Sequence, residues 1–237
     1  MNITDYFEFT RIINLKHRED RRQETHAEFK RHGLKLDGQR VAFFEAIAPQ
    51  EAEGFPSPGV RGCFLSHLKV LEEAQQRGVH ALVLEDDILF ARQMGTLGEQ
   101  AIEQLKSTQW DMAYFGHSLG DEPGAPQWRL MTRPTMLAHF YAVNVKALPA
   151  LTAYLQTVLQ RPAGHPLGGP MHFDGALHSF REQNPDLKTY FFTKNLGFQR
   201  PSKTDLHEVS ILDKLPWLSP LTKLLRTVKT AYVRLRH

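Results

Sequence analysis

The sequence predicts an α/β domain with a mostly parallel central sheet, and three observations carry that expectation. Short apolar runs alternate with polar, helix-like stretches through the N-terminal half. Gly78 separates a helical pattern over residues 62–76 from the strand-like run Ala81-Leu82-Val83-Leu84, which is the helix-to-strand grammar of βαβ units. Three consecutive acids, Glu85-Asp86-Asp87, follow that run directly, at the strand end where open α/β sheets place their ligands.

Taken in order, Arg11-Ile12-Ile13-Asn14-Leu15 reads as a short buried strand, and the charged segment from Lys16 to Lys30 as a surface helix. Val41 to Ala46 suits a second strand, and Pro49 to Pro58, rich in Pro, Gly and acids, a loop. Between Gly62 and Gln76 the apolar residues Phe64, Leu65, Leu68, Leu71 and Ala74 recur at near-helical spacing, with Gly78 placed to end the helix. Thr96 to Lys106 reads as a helix, Trp110 to Phe115 as a strand ending at Gly116, and Leu119 to Pro126 as a loop. Phe140 to Val143 forms a further strand, and Val145 to Leu159 a helix interrupted near Pro149. Pro and Gly punctuate Arg161 to Pro170, which predicts a mobile loop.

A hydrophobic share of 41% and a charged share of 23% over 237 residues suit one soluble globular domain and argue against disorder or a bilayer-spanning chain. The start, MNITDYFEFTRIINL, lacks the pattern of a secretory signal, so the expected compartment is the cytoplasm. Cys63 is the only cysteine, so no intrachain disulfide can form and no cysteine-based zinc site is expected. The net charge of +3 is uneven, because six basic and no acidic residues lie from Lys214 onward, which leaves residues 1–213 at −3. The body has no basic stripe interleaved with aromatics, so nucleic acid is not an expected partner.

Three segments could carry chemistry. Crowded carboxylates at 85–87 repel one another and call for a compensating cation. Mg²⁺ or Mn²⁺ with a substrate diphosphate would supply it, and a solvated acidic turn is the alternative. The cluster Asn14 to Arg22 offers donors suited to phosphate or ribose, or else forms a solvated helix face. In Gly62-Cys63-Phe64-Leu65-Ser66-His67, the Ser-His pair lacks a nucleophile elbow, and helix neighbours do not face each other, so a serine hydrolase is disfavoured. Local satisfaction of Ser66 or His67 is the alternative.

Together these segments resemble glycosyltransferase family 25, the bacterial lipooligosaccharide galactosyltransferases and related procollagen galactosyltransferases. The shared order is Ile13-Asn14-Leu15 with Arg18 and Arg21, Gly62-Cys63 with Ser66-His67, Glu85-Asp86-Asp87, then Phe140-Tyr141-Ala142. Residues 10–210 are covered by the similarity. It implies a GT-A-like fold, a single Rossmann-type sandwich over residues 1–212, and a metal-dependent, inverting transfer of a hexose, most often galactose, from a UDP-sugar. A lipooligosaccharide, lipopolysaccharide or other glycan or glycolipid surface would be the acceptor. Mn²⁺ or Mg²⁺ would be held by Asp87 first, Asp86 second, and His207 from the C-terminal part. Asn14, Arg18, Arg21, Ser66, His67, Glu85, Asp86, Gln199, Ser202 and Asp205 would line the nucleotide-sugar site. Asp174, in Met171 to Leu177, is the expected general base, with an N-cap role as the alternative.

The run from Gln199 to His207 resembles the family's closing motif with Thr204 in place of serine, and a surface histidine is the alternative for His207. Lys69, Val70 and Leu71 stand where members often place a tryptophan after the Ser-His pair, so the acceptor is not inferred from this region. Two readings from other classes compete: a metal-dependent phosphohydrolase or nucleotidyltransferase, and a non-catalytic binding protein that has kept the fold. Residues 213–237 read as a basic amphipathic tail. Leu221, Leu224, Leu225, Val228, Tyr232 and Leu235 recur at helical spacing, interleaved with Lys and Arg, and Trp217 precedes them. That pattern predicts that 216–237 rests on an anionic membrane surface, making the protein peripheral on the inner face, or else that the stripe docks on the domain.

Overall fold

The computed structural model describes residues 1–134 and 137–200. The tail 213–237 and the candidate residues Ser202, Asp205 and His207 lie outside the described residues. In chain order the elements are α1 (Ile3–Tyr6), β1 (Phe9–Asn14), α2 (Glu19–Arg31), β2 (Val41–Glu45), α3 (Pro58–Arg77), β3 (Ala81–Glu85) and β4 (Ile88–Phe90). There follow α4 (Met94–Lys106), β5 (Met112–Gly116), β6 (Trp128–Leu130), β7 (Phe140–Val143), α5 (Leu148–Gln160), α6 (Phe173–Gln183), β8 (Thr189–Phe192) and β9 (Gly197–Gln199).

Seven strands form one sheet in the order β2-β1-β3-β7-β5-β8-β6, and β4 pairs with β9 in a separate two-stranded ribbon. The pairs β1/β2, β1/β3 and β5/β8 are parallel, whereas β7 is antiparallel to both β3 and β5, and β6 is antiparallel to β8. Five strands therefore point one way and two the other. The expectation of a mostly parallel sheet holds for strand direction, but its centre is mixed, because β7 enters the middle of the sheet from the opposite end.

Alternation along the strands divides the core between two faces. Phe9, Ile13, Ala81 and Val83 pack with Phe64, Leu68 and Leu71 of α3 and with Leu151 and Leu155 of α5. Ile12, Leu82 and Leu84 turn the other way, toward Phe29 of α2 and Ile102 and Leu105 of α4. Helices on both faces explain why β1 and β3 read as continuous apolar runs. The buried Arg11 is tolerated within β1 because its guanidinium donates to the carbonyls of Thr10, Gln39 and Arg40, pairs with Glu73 at 3.1 Å, and lies over the Phe9 ring.

Local signals set the helix ends. Ser57 caps α3 by accepting from the Val60 N–H, and Pro58 occupies the first turn, where its missing N–H costs nothing. Gly78 ends the same helix at φ 66°, a left-handed conformation that favours glycine. Pro149 stands in the first turn of α5, so this helix starts there instead of being interrupted, for the same reason. Strands β4, β6, β8 and β9 have three or four residues each, too short for an alternation to register in the sequence.

Candidate functional site

The carboxyl edges of β1, β2 and β3 lie side by side, with Asn14 opposite Glu45 and Ile13 opposite Glu85. The acidic triplet therefore emerges beside Asn14 and the start of α2, although more than sixty residues separate them in sequence. At the same edge β7 enters the sheet, and the His139 carbonyl accepts the Glu85 N–H at 3.0 Å.

The three acids differ in environment. Asp86 is buried and clamped: Arg21 Nη1 donates to one carboxylate oxygen at 2.7 Å and Asn14 Nδ2 to the other at 2.7 Å. The Thr25 hydroxyl donates to the Asp86 carbonyl at 2.9 Å. Asn14 is fully used, since its amide also donates to the Arg18 carbonyl and its oxygen accepts from Arg22 Nε. Asp87 is buried as well, 3.9 Å from Arg21 Nη1, and its carbonyl accepts the Arg200 N–H. Arg18 lies further out, bidentate on Asp20, whose carboxyl it holds down at about 2.

Glu85 is the partly open member, its side chain 24% exposed. Gln199 Nε2 donates to Glu85 Oε2 at 2.9 Å, and His67 Nε2 lies 3.4 Å from Oε1. Burial pushes the Glu85 carboxyl up, but the neighbouring His67, with contributions from His139 and Gln199, outweighs it and leaves it below its ordinary value. Strand β9 brings Gln199 here by pairing with β4, in the register Ile88 to Gln199.

The segment Gly62 to His67 divides by helical spacing. Gly62 and Ser66, four residues apart, face the loop after β2: the Ser66 hydroxyl donates to the Gly62 carbonyl at 2.6 Å and accepts the Ile47 N–H at 2.8 Å. A Cβ at Gly62 would collide with the Ile47 carbonyl and Pro49. Both residues thus bind loop to helix. Cys63 and His67, again four apart, face Glu85, and one ligand-capable atom from each of the three lies within 4.8 Å of the others. The His67 ring is held by the Tyr141 hydroxyl, 3.0 Å from Nδ1, and by Phe173, stacked at 4.1 Å.

Asp174 sits in the first turn of α6, where His172, not Asp174, holds the N-cap position. Its carboxylate accepts only the neighbouring Gly175 N–H among the hydrogen bonds described, at 2.8 Å. The N-cap alternative is therefore corrected: the chain turns into the helix two residues earlier. Burial raises the Asp174 pKa, the Gly175 and His172 contacts lower it, and the negative charge of Glu85 raises it again, which places Asp174 within electrostatic reach of the triplet. Cys63 is solvent-exposed, yet its thiol pKa is pushed well up, by desolvation first and then by Glu85, Asp174 and Asp87. Cys63, His67 and Glu85 come together, and Asp87 and Asp174 lie within electrostatic reach of Cys63.

Cys63 and Tyr141 were not assigned roles from the sequence. The spacing of four residues between Cys63 and His67 was the available signal, since it places both on one helix face. Tyr141 carried none, because an aromatic in a buried strand reads as core.

Residues 56–119 match the family described as Glycosyltransferase family 25 (LPS biosynthesis protein). This is the family the motifs resemble. The matched span contains α3, the triplet and β5. Procollagen galactosyltransferase 1-B of Xenopus laevis is 31% identical over 141 residues, covering 48% of this chain and 22% of that protein. Procollagen galactosyltransferase 1 of Danio rerio is 29% identical over 126 residues, covering 44% of this chain and 20% of that protein. The probable inactive glycosyltransferase 25 family member 3 of Bos taurus is 29% identical over 144 residues, covering 58% and 23%. The chain spans about a fifth of the length of these curated relatives.

Proposed function

We propose that residues 1–212 form a GT-A-like catalytic domain that transfers a hexose, galactose by first choice, from a UDP-sugar to a glycan or glycolipid acceptor with inversion. The observation that carries this reading is the placement of Glu85, Asp86 and Asp87 at the carboxyl edge of the sheet beside Asn14 and Arg21, with Asp174 of α6 in electrostatic reach of Glu85. The family match and the names of the relatives support a glycosyltransferase, one of those relatives being a probable inactive member.

The donor set fits a hard divalent ion such as Mn²⁺ or Mg²⁺, which takes carboxylate oxygens together with those of a substrate diphosphate. Asp87 is the first ligand. Asp86, named as the second, spends both oxygens on Arg21 and Asn14, which suits anchoring better. A bound ion would neutralise charge on the leaving diphosphate. Asp174 would accept the proton from the acceptor hydroxyl as that oxygen bonds to the anomeric carbon and the bond to UDP breaks. A carboxylate with a raised pKa is suited to that task.

Ser66 is saturated by Ile47 and Gly62, so its part in this reading is to hold the loop. Among the described residues no helix is long and apolar enough to cross a membrane. The tail 213–237 is proposed to hold the enzyme at an anionic inner membrane surface, facing a lipopolysaccharide-type acceptor. Salt-sensitive binding to anionic vesicles by the full chain, lost on truncation at Leu215, tests that part.

Release of UDP in the presence of Mn²⁺ and a panel of UDP-hexoses tests the central claim. Turnover with at least one donor, abolished by Asp87→Asn without loss of folding, is the expected result. Absence of both turnover and Mn²⁺-dependent UDP binding would overturn it.

A further inference from the structure

We infer that Cys63, His67 and Glu85 form a site for a Zn²⁺-class ion, distinct in chemistry from the oxygen-donor end of the triplet. The expectation that a lone cysteine excludes a cysteine-containing zinc site counted cysteines alone, and the fold supplies the other ligand types. Cys63 and His67 project from one face of α3, Glu85 ends β3, and their ligand atoms lie within 4.8 Å of one another. Bond lengths of about 2.0–2.3 Å imply ligand separations of roughly 3.3–3.8 Å in a tetrahedral site, so a shift of about 1 Å closes it. Cys63, exposed at the rim, can make that shift.

The independent observation is His67. It is fully buried, and Nε2 has no hydrogen-bond partner while facing Glu85 Oε1 at 3.4 Å. Its other nitrogen lies 3.0 Å from the Tyr141 hydroxyl, and its ring is stacked on Phe173. With Nδ1–H donating to Tyr141, the Nε2 lone pair points at the cluster, which is how outer partners commonly fix a metal-binding histidine. One sulfur, one imidazole nitrogen and one carboxylate oxygen suit Zn²⁺, whereas Mg²⁺ and Mn²⁺ prefer oxygen alone. The exposed face of Cys63 offers an entry path, and water would complete the tetrahedral shell. Binding releases the thiol proton and forms a Zn–S bond, with no change of oxidation state.

The test uses the full chain and the metal alone, with no sugar nucleotide, so its outcome is independent of the transferase reading. Zn²⁺ should slow alkylation of Cys63, the chain's only thiol, by at least about tenfold, and excess Mg²⁺ should not. Co²⁺ should give thiolate charge-transfer absorption that is absent in Cys63→Ser. His67→Gln, which removes a ligand, should weaken Zn²⁺ by at least the roughly 10–100-fold that loss of an outer-shell partner costs, with circular dichroism confirming folding. Alkylation that is equally fast with and without Zn²⁺ in the parent chain would overturn the proposal without reference to any variant. Zn²⁺ affinity unchanged in folded Cys63→Ser would do the same.

Discussion

Removing the Arg21 guanidinium tests how strongly the buried clamp holds the acidic triplet. The Arg21–Asp86 contact is 2.7 Å, and the two side chains are only 14% and 8% exposed. Breaking a buried pair by deleting one partner costs about 3–5 kcal/mol, because the other charge stays desolvated. In Arg21→Met, Asp86 keeps the Asn14 amide at 2.7 Å, and protonation offers it a further escape, so the lower end, about 3 kcal/mol, is expected. For a chain of this size that lowers Tm by roughly 6–12 °C. The double variant Arg21→Met/Asp86→Asn should recover much of the loss, since Asp86 no longer carries a buried charge, but not all of it, because the buried Asp87, 3.9 Å from Arg21, keeps its own. Arg18 supplies the control: its bidentate pair with Asp20 is 34% and 61% exposed, and although it holds Asp20 at about 2, solvent screening limits Arg18→Ala to about 0.5 kcal/mol. Urea and thermal unfolding measure all three. A loss below about 1 kcal/mol in Arg21→Met, the figure for an exposed pair, would refute the buried-clamp reasoning.

Ser66→Ala should cost about 1–2 kcal/mol by leaving the Ile47 N–H without its acceptor, with nucleotide affinity unchanged; isothermal titration and urea melts separate this from a binding role. Gly197→Ala should destabilise by about 1–3 kcal/mol, because the added Cβ would meet Ile88 Cδ1 at 2.6 Å and the Phe140 ring at 2.8 Å, and Gln199 should leave Glu85, seen as weakened donor binding. Asp174→Asn should lower kcat by about 10²–10⁴-fold while leaving Mn²⁺-UDP binding intact. The parent's raised Asp174 pKa favours the native state at low pH, a contribution lost as pH rises past the folded value. The variant should therefore be at least as stable near neutrality, and its melting profile should lack that slope. Equal kcat in the two proteins would remove Asp174 from the chemistry.

The elements readable in advance were those whose side chains repeat a local rule. The apolar run of β3 and the periodic face of α3 with its terminal Gly78 are each set by a few neighbouring residues, so composition and spacing reveal them. Strand β7 was legible as a strand but not as an antiparallel one, because direction is set by how the chain returns across the sheet. Strands β4 and β9 escaped notice since three residues of each matter only when the other is present.

The same division runs through the site. The sequence by itself determined that three acids end a buried strand, that Asn14 ends another with Arg18 and Arg21 close behind it, and that Cys63 and His67 share a helix face, because each follows from periodicity and adjacency. Only the tertiary structure decided what each does: Arg21 and Asn14 hold Asp86, Glu85 stays partly open while Asp87 is buried, Ser66 binds a loop, and Asp174 lies in electrostatic reach of Glu85 from a distant helix. Those assignments depend on distances of a few ångströms between residues far apart in the chain. Electrostatic and hydrogen-bond energies fall steeply over such distances, so roles that look equal along the sequence are separated only by packing.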